Sequence, residues 1–147
     1  MDNVVHIKNA VLVGFAAVGG FLANALGGWD VTLRVLVGFI AADFVLGLAV
    51  AAVFKKSPKS KNGALESGAC FKGLVRKGVI LLFVWLGANL DELLGVTYVR
   101  TAICMFFIAN EGLSILESTA IIGVPWPPFV KNMLEALKKQ GDAPEGE

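Results

Sequence analysis

Apolar residues fall in four long blocks separated by short polar breaks. Ala10 to Leu26 has Asn24 as its only strongly polar residue, and Val31 to Phe54 is interrupted only by Arg34 and Asp43. A third block, Gly78 to Leu90, holds 13 uncharged residues, and a fourth runs from Tyr98 to Val124. Blocks of this length and composition predict membrane-spanning helices. The expected fold class is therefore all-α: an integral membrane protein with three to four transmembrane helices and short amphipathic flanking helices. The expected spans are about 10–28, 31–54, 78–96 and 98–124. As helix, the third block covers only about 20 Å, short of the roughly 30 Å hydrocarbon core. To cross, it must continue through Asp91 and Glu92 to Val96. Between the first two blocks, Gly27-Gly28-Trp29-Asp30 leaves room only for a tight hairpin, with Trp29 as an interfacial anchor.

The organisation that follows is a short N-terminus (1–9), a transmembrane helical domain (10–124) containing a basic loop (55–77), and a C-terminal tail (125–147). Two flanking pieces carry an amphipathic pattern. In the loop, Phe71, Leu74 and Val75 are set against Lys72, Arg76 and Lys77. After Pro125-Trp126-Pro127-Pro128, an apolar stripe of Phe129, Val130, Met133, Leu134 and Leu137 opposes Lys131, Glu135 and Lys138. Either could lie on the membrane surface or dock on a partner. Beyond Lys139 the polar sequence QGDAPEGE reads as disordered. A second reading of the N-terminus is a cleavable signal peptide, with Lys8, an apolar run and Ala23-Asn24-Ala25. Cleavage would leave the orientation of the later segments unchanged.

The fourth block is membrane-grade yet carries Arg100, Asn110, Glu111 and Glu117. An ionisable residue at bilayer depth costs about 2.5–3.5 kcal/mol on insertion scales. At helical spacing Thr97, Arg100, Thr101, Cys104, Glu111, Ser114 and Ser118 share one stripe, with Asn110 and Glu117 beside it. A helix with one polar face lines a wet space or packs polar face to polar face. In the second block, Gly38 and Ala42 form one small-residue row, and Asp43, Gly47 and Ala51 form another. Such rows permit close helix contact in lipid. Asp43, Arg100, Asn110, Glu111, Ser114 and Glu117 are thus candidates for a polar seam between subunits or a lumen wall. Two alternatives remain at this point: carboxylic acids that hold a compact bundle together, and a proton relay in a transporter.

Composition narrows the function classes. The 147 residues are 56% hydrophobic and 17% charged, with a mean hydropathy of +0.70. A soluble domain so apolar would leave large exposed patches. The net charge of +1 is uninformative, but its distribution is not. Lys55, Lys56, Lys59, Lys61, Lys72, Arg76 and Lys77 crowd the central loop against one acid, Glu66. The positive-inside rule places that loop in the cytoplasm, with Trp29 and Asp91-Glu92 outside and both termini inside. Cys70 and Cys104 lack the spacing of a metal site and read as ordinary thiols. The single histidine, His6, has no catalytic company, and no Gly-rich phosphate loop follows a strand. No enzyme activity, cofactor or metal is expected. The basic loop suits anionic lipid, and its lack of interleaved aromatics apart from Phe71 argues against nucleic acid.

Several strings resemble the toxin-secretion/phage-lysis holin family. They are Gly27-Gly28-Trp29-Asp30, Asp43-Phe44 with Gly47, Phe71-Lys72-Gly73-Leu74 with Arg76-Lys77, and Arg100-Thr101-Ala102. They continue with Ile108 to Glu117 (IANEGLSILE) and Gly123-Val124-Pro125-Trp126-Pro127. The likeness runs in order from about Gly27 to Leu137, and the IANEG-x-SILE run is its most specific part. The family often has Tyr and Thr where this chain has Phe44 and Leu46, Tyr at Phe107, and Asn at Ser118. The resemblance implies a protein that homo-oligomerises in the bacterial cytoplasmic membrane and opens lesions. Those lesions release an endolysin, or in some clostridia a toxin, without necessary direct contact, and an antiholin can restrain them. The alternatives are a non-lytic channel or transporter subunit and an antiholin itself.

Overall fold

The computed structural model describes residues 2–59, 61–64, 66–130 and 132. Among them there is no strand. Helix α1 is Asp2–Ala25, α2 is Val31–Ala49 and extends as a π-helical turn over Val50–Phe54, α3 is Ser67–Leu94, and α4 is Val99–Ile122. Three helical stretches are long and apolar enough to cross a membrane: Asn3–Ala25, Val31–Phe54 and Val99–Ile122. The large apolar side chains on α1, among them Phe15 and Phe21, are exposed. That is the surface expected of a helix whose solvent is lipid, because only burial against protein, not contact with lipid, lowers this exposure. The tail positions 133–147, which carry most of the expected C-terminal stripe and the polar end, lie outside the described residues, as does Lys131.

Helix α3 departs from expectation at its start. The amphipathic piece at 71–77 is not a separate surface helix but the beginning of a 28-residue helix. Its charged face is divided: Lys72 and Arg76 are exposed, as expected, but Lys77 is not. Phe71, Leu74 and Val75 are exposed, whereas Lys77 is buried and shares a stripe with Ile80, Val84 and Gly87. Those positions are three to four residues apart, so they form the face that α3 packs, and the continuous helix carries Lys77 onto it.

Helices end on a recurrent device. Gly28 N–H donates to Ala23 O and Gly27 N–H to Asn24 O at the end of α1. This is the Schellman closure, and it puts Gly27 at φ +87°, where a side chain is strained. The same closure ends α4 at Gly123 and Val124, just before Pro125 stops the helix.

The chain divides into two compact units. One comprises Met1–Gly38 and Lys72–Ile108, the other Phe39–Phe71 and Ala109–Glu147. Among the described residues, the first buries Leu33, Leu36, Ile80, Val84 and Cys104, with Lys77 and Arg100. The second is unlike it. It buries two apolar residues, Val50 and Ala51, against four polar ones, Asp43, Ser57, Glu111 and Ser118. A membrane protein can be apolar outside and polar inside in this way, because its exterior needs no water.

Close helix contact falls at glycines other than those in the expected rows. A Cβ on Gly87 of α3 would lie 2.7 Å from Ile103 Cδ1 and 3.0 Å from Arg100 Cα on α4. One on Gly112 of α4 would lie 3.2 Å from Phe39 Cε1 on α2. At Gly38 and Gly47 a Cβ would meet nothing within 4 Å, so their faces are open within the single chain. Cys70 and Cys104 are free thiols.

Candidate functional site: a turn clamp and a polar interior

In the first unit the chemistry centres on Arg100, in the first turn of α4. Its guanidinium donates from Nη1 to Asp30 Oδ2 at 2.7 Å and from Nη2 to Asp30 Oδ1 at 3.2 Å. It also donates from Nη2 to Gly28 O at 3.0 Å and from Nε to Leu26 O. The Schellman closure presents those two carbonyls, and Arg100 takes them. A planar fork with five N–H donors suits such a set. Asp30 has a second task, because its Oδ1 accepts from Leu33 N–H at 2.8 Å and so caps α2. Asp91 does the same for α4 from the end of α3, accepting from Val99 N–H at 2.8 Å and from Arg100 N–H at 3.1 Å. Two aspartates and one arginine thus fasten the α1–α2 turn to the α3–α4 turn. A carboxylate at each helix N-terminus also complements the helix dipole there. The Arg100 hydrogen bonds hold the Asp30 carboxyl below its usual range, outweighing its partial burial. The two turns lie far apart in sequence, one before Val31 and the other before Val99. The sequence signal is Asp30, one residue before an apolar run in an N-cap position; it marks the cap and does not name Arg100 as a partner.

The second unit gathers other candidates. Asp43 on α2 and Glu111 and Ser118 on α4 are buried, Glu111 at 1% exposure. Asn110 and Ser114 are half-buried and Glu117 is exposed. A small recess is lined by Gly47, Val50, Ser57, Pro58, Lys59, Ser114, Glu117, Ser118 and Ile121. Lys59 enters it from the loop after α2: its Nζ lies 3.8 Å from Asp43 Oδ2 and donates to Ser114 Oγ at 3.4 Å. The stripe predicted on the fourth segment is therefore divided. Arg100 belongs to the turn clamp, while Asn110, Glu111, Ser114 and Glu117 share a unit with Asp43. In the sequence Lys59 counts only among the basic residues that set topology. Nothing in its spacing marks a loop lysine as a partner of a residue on a membrane helix.

At the far end of α4, Thr119 Oγ1 bonds Ile115 O at 2.8 Å, and Trp126 Nε1 donates to that hydroxyl at 3.1 Å. The turn after the helix is thereby fixed. Among the described residues no cluster could hold a metal ion.

The profile of the bacteriophage holin family matches residues 20–139. The chain belongs to the bacteriophage holin family. That match contains the whole stretch, Gly27 to Leu137, on which the sequence likeness rests. A probable holin of Bacillus phage phi105 is 34% identical over 101 residues, 68% of this chain and 69% of the relative. An uncharacterised 14.9 kDa protein of Clostridium perfringens is 35% identical over 142 residues, 95% of this chain and 99% of the relative. An uncharacterised Listeria innocua protein is 35% identical over 136 residues, 91% of this chain and 89% of the relative. No solved structure matches the chain. Membership of this holin family and the apolar helices together indicate a membrane protein of non-enzymatic type.

Proposed function

We propose that this holin accumulates in a bacterial cytoplasmic membrane, assembles with copies of itself and opens lesions that release an endolysin or a toxin. The observation that carries this reading is the second unit's interior, where, among the described residues, buried polar side chains outnumber buried apolar ones. Such a bundle is poorly served by lipid-only contacts. Its polar groups can exchange partners with a neighbouring copy, and the exchanged surface is wettable. Asp43, Asn110, Glu111, Ser114 and Glu117 form the seam, and a second copy packs on the open faces at Gly38, Ala42 and Gly47, beside the buried Ala51 of the same small-residue row. Induced expression in bacteria tests the reading: growth should stop abruptly at a reproducible time, with loss of membrane potential. Continued growth with the protein inserted and abundant would favour a channel subunit or an antiholin.

All four helices cross the membrane in this reading. Arg100 brings the α3–α4 turn to the α1–α2 turn, which supports two turns on one side and hence a crossing by α3. The basic loop and both termini are cytoplasmic. A cysteine in place of exposed Trp29 should react with impermeant thiol reagents on intact cells, and one at Asn62 should not, once Cys70 and Cys104 are replaced. The opposite pattern would invert the topology.

A further inference from the structure

The lysine that enters the polar recess has no role in topology that requires it to be there. Three other basic residues, Lys55, Lys56 and Lys61, mark the same loop before α3 begins. Yet the loop is shaped to deliver it. Lys55 takes the left-handed conformation at φ +50°, an uncommon state for a residue with a side chain, and turns the chain out of α2. Ser57 N–H donates to Gly63 O at 2.9 Å and closes the loop, and Lys59 N–H donates to Ser57 Oγ at 3.3 Å. Ser57 itself is buried. The ammonium thus reaches back to two helices at once, Asp43 on α2 and Ser114 on α4.

We infer that Lys59 is a latch on the polar seam: while it bridges Asp43 and Ser114, those groups are withheld from a second copy, and its release opens the recess for assembly. The inference rests on the holin reading for its consequence, but the latch is a property of the single chain. The chemistry favours a reversible contact. Asp43 is buried, with its side chain 4% exposed, whereas the lysine is 48% exposed and can return to water. An ammonium on a four-carbon stem is a mobile partner, unlike a guanidinium fork. The competing partner is a polar side chain from another copy of this chain, whose supply rises as protein accumulates. Mass action then sets when the latch yields.

The test uses full-length protein in vesicles of bacterial lipid, with both native cysteines replaced by alanine and Ser118 replaced by cysteine. Ser118 is buried and lines the recess beside Lys59, so its alkylation by a small maleimide reads the latch without reference to lysis. Lys59→Met should raise the labelling rate several-fold, and Lys59→Arg, whose fork holds at least as firmly, should leave it at or below the parent value. Lys61→Met removes an equal charge from an exposed position of the same loop and should change nothing. In cells, Lys59→Met should bring growth arrest forward relative to parent and Lys61→Met. Equal labelling rates in Lys59→Met and parent would overturn the latch, and so would equal acceleration by Lys61→Met, which would make loop charge the cause. If the parent never arrests growth while Lys59→Met still exposes position 118, the latch stands and the holin reading fails.

Discussion

Arg100→Leu is expected to destabilise the protein by about 2–4 kcal/mol. Breaking a buried, hydrogen-bonded ion pair by removing one partner typically costs about 3–5 kcal/mol. Part of that is screened here, since the Asp30 side chain is 48% exposed while that of Arg100 is 8% exposed. The loss is compounded because Leu26 O and Gly28 O lose their donor in the same substitution. Arg100→Lys should recover only a fraction, because an ammonium cannot reproduce a fork that spans a carboxylate and two carbonyls. Denaturant unfolding in mild detergent, followed by tryptophan fluorescence, measures both. A pH series isolates the ion pair. The Asp30 carboxyl is held low in the folded protein by Arg100, so its contribution is full above the ordinary carboxylate range, about pH 4. It is lost as pH falls through the lowered folded value. The stability gap between parent and Asp30→Asn should therefore be constant near neutrality and close only in acid. A gap that closes near neutrality would mean that another group carries the effect.

Glu111 carries the second large effect, on function rather than on folding alone. It is 1% exposed on a membrane helix, and it sits in the most family-like string of the chain. Glu111→Leu should insert and accumulate but lose lysis, because it removes every polar atom at the centre of the proposed seam. Leaving the partner groups unsatisfied costs about 1–3 kcal/mol, enough to move a marginal assembly equilibrium by a factor of about 5 to 150. Glu111→Gln keeps shape and hydrogen bonding and should lyse near the parent time. Immunoblots of membrane fractions beside lysis curves distinguish loss of function from loss of protein. If Leu lyses on the parent schedule, Glu111 is merely tolerated. If Gln fails together with Leu, the ionisable carboxyl rather than hydrogen bonding is what the seam requires.

The helices were legible in sequence because lipid imposes a one-dimensional rule: long uncharged runs. The same rule could not show where α3 begins. Lys72, Arg76 and Lys77 read as a boundary, but helix hydrogen bonds continue through them, and a long side chain such as Lys77 can be buried along its stem. The candidate residues were legible as anomalies, since Asp43, Arg100 and Glu111 are the charges that an apolar run should not contain. Their partners were not. Arg100 meets Asp30 across 70 positions of sequence and Lys59 meets Ser114 across 55, pairings made by tertiary geometry rather than by periodicity. Small-residue spacing marks Gly38 and Gly47 for contact between copies, and contact within the chain falls at Gly87 and Gly112. A glycine shows that close approach is allowed, and only the neighbouring helix shows whether it happens.

The central claim, that copies of this chain assemble into lesions wide enough for a folded enzyme, is tested most directly by cargo release from vesicles. Purified protein is reconstituted at increasing density into vesicles loaded with a small dye and a fluorescent protein of endolysin size. The account predicts that both cargoes leave together above a threshold density, and that Glu111→Leu releases neither. Release of dye alone, rising in proportion to protein without a threshold, would contradict it and identify a small channel.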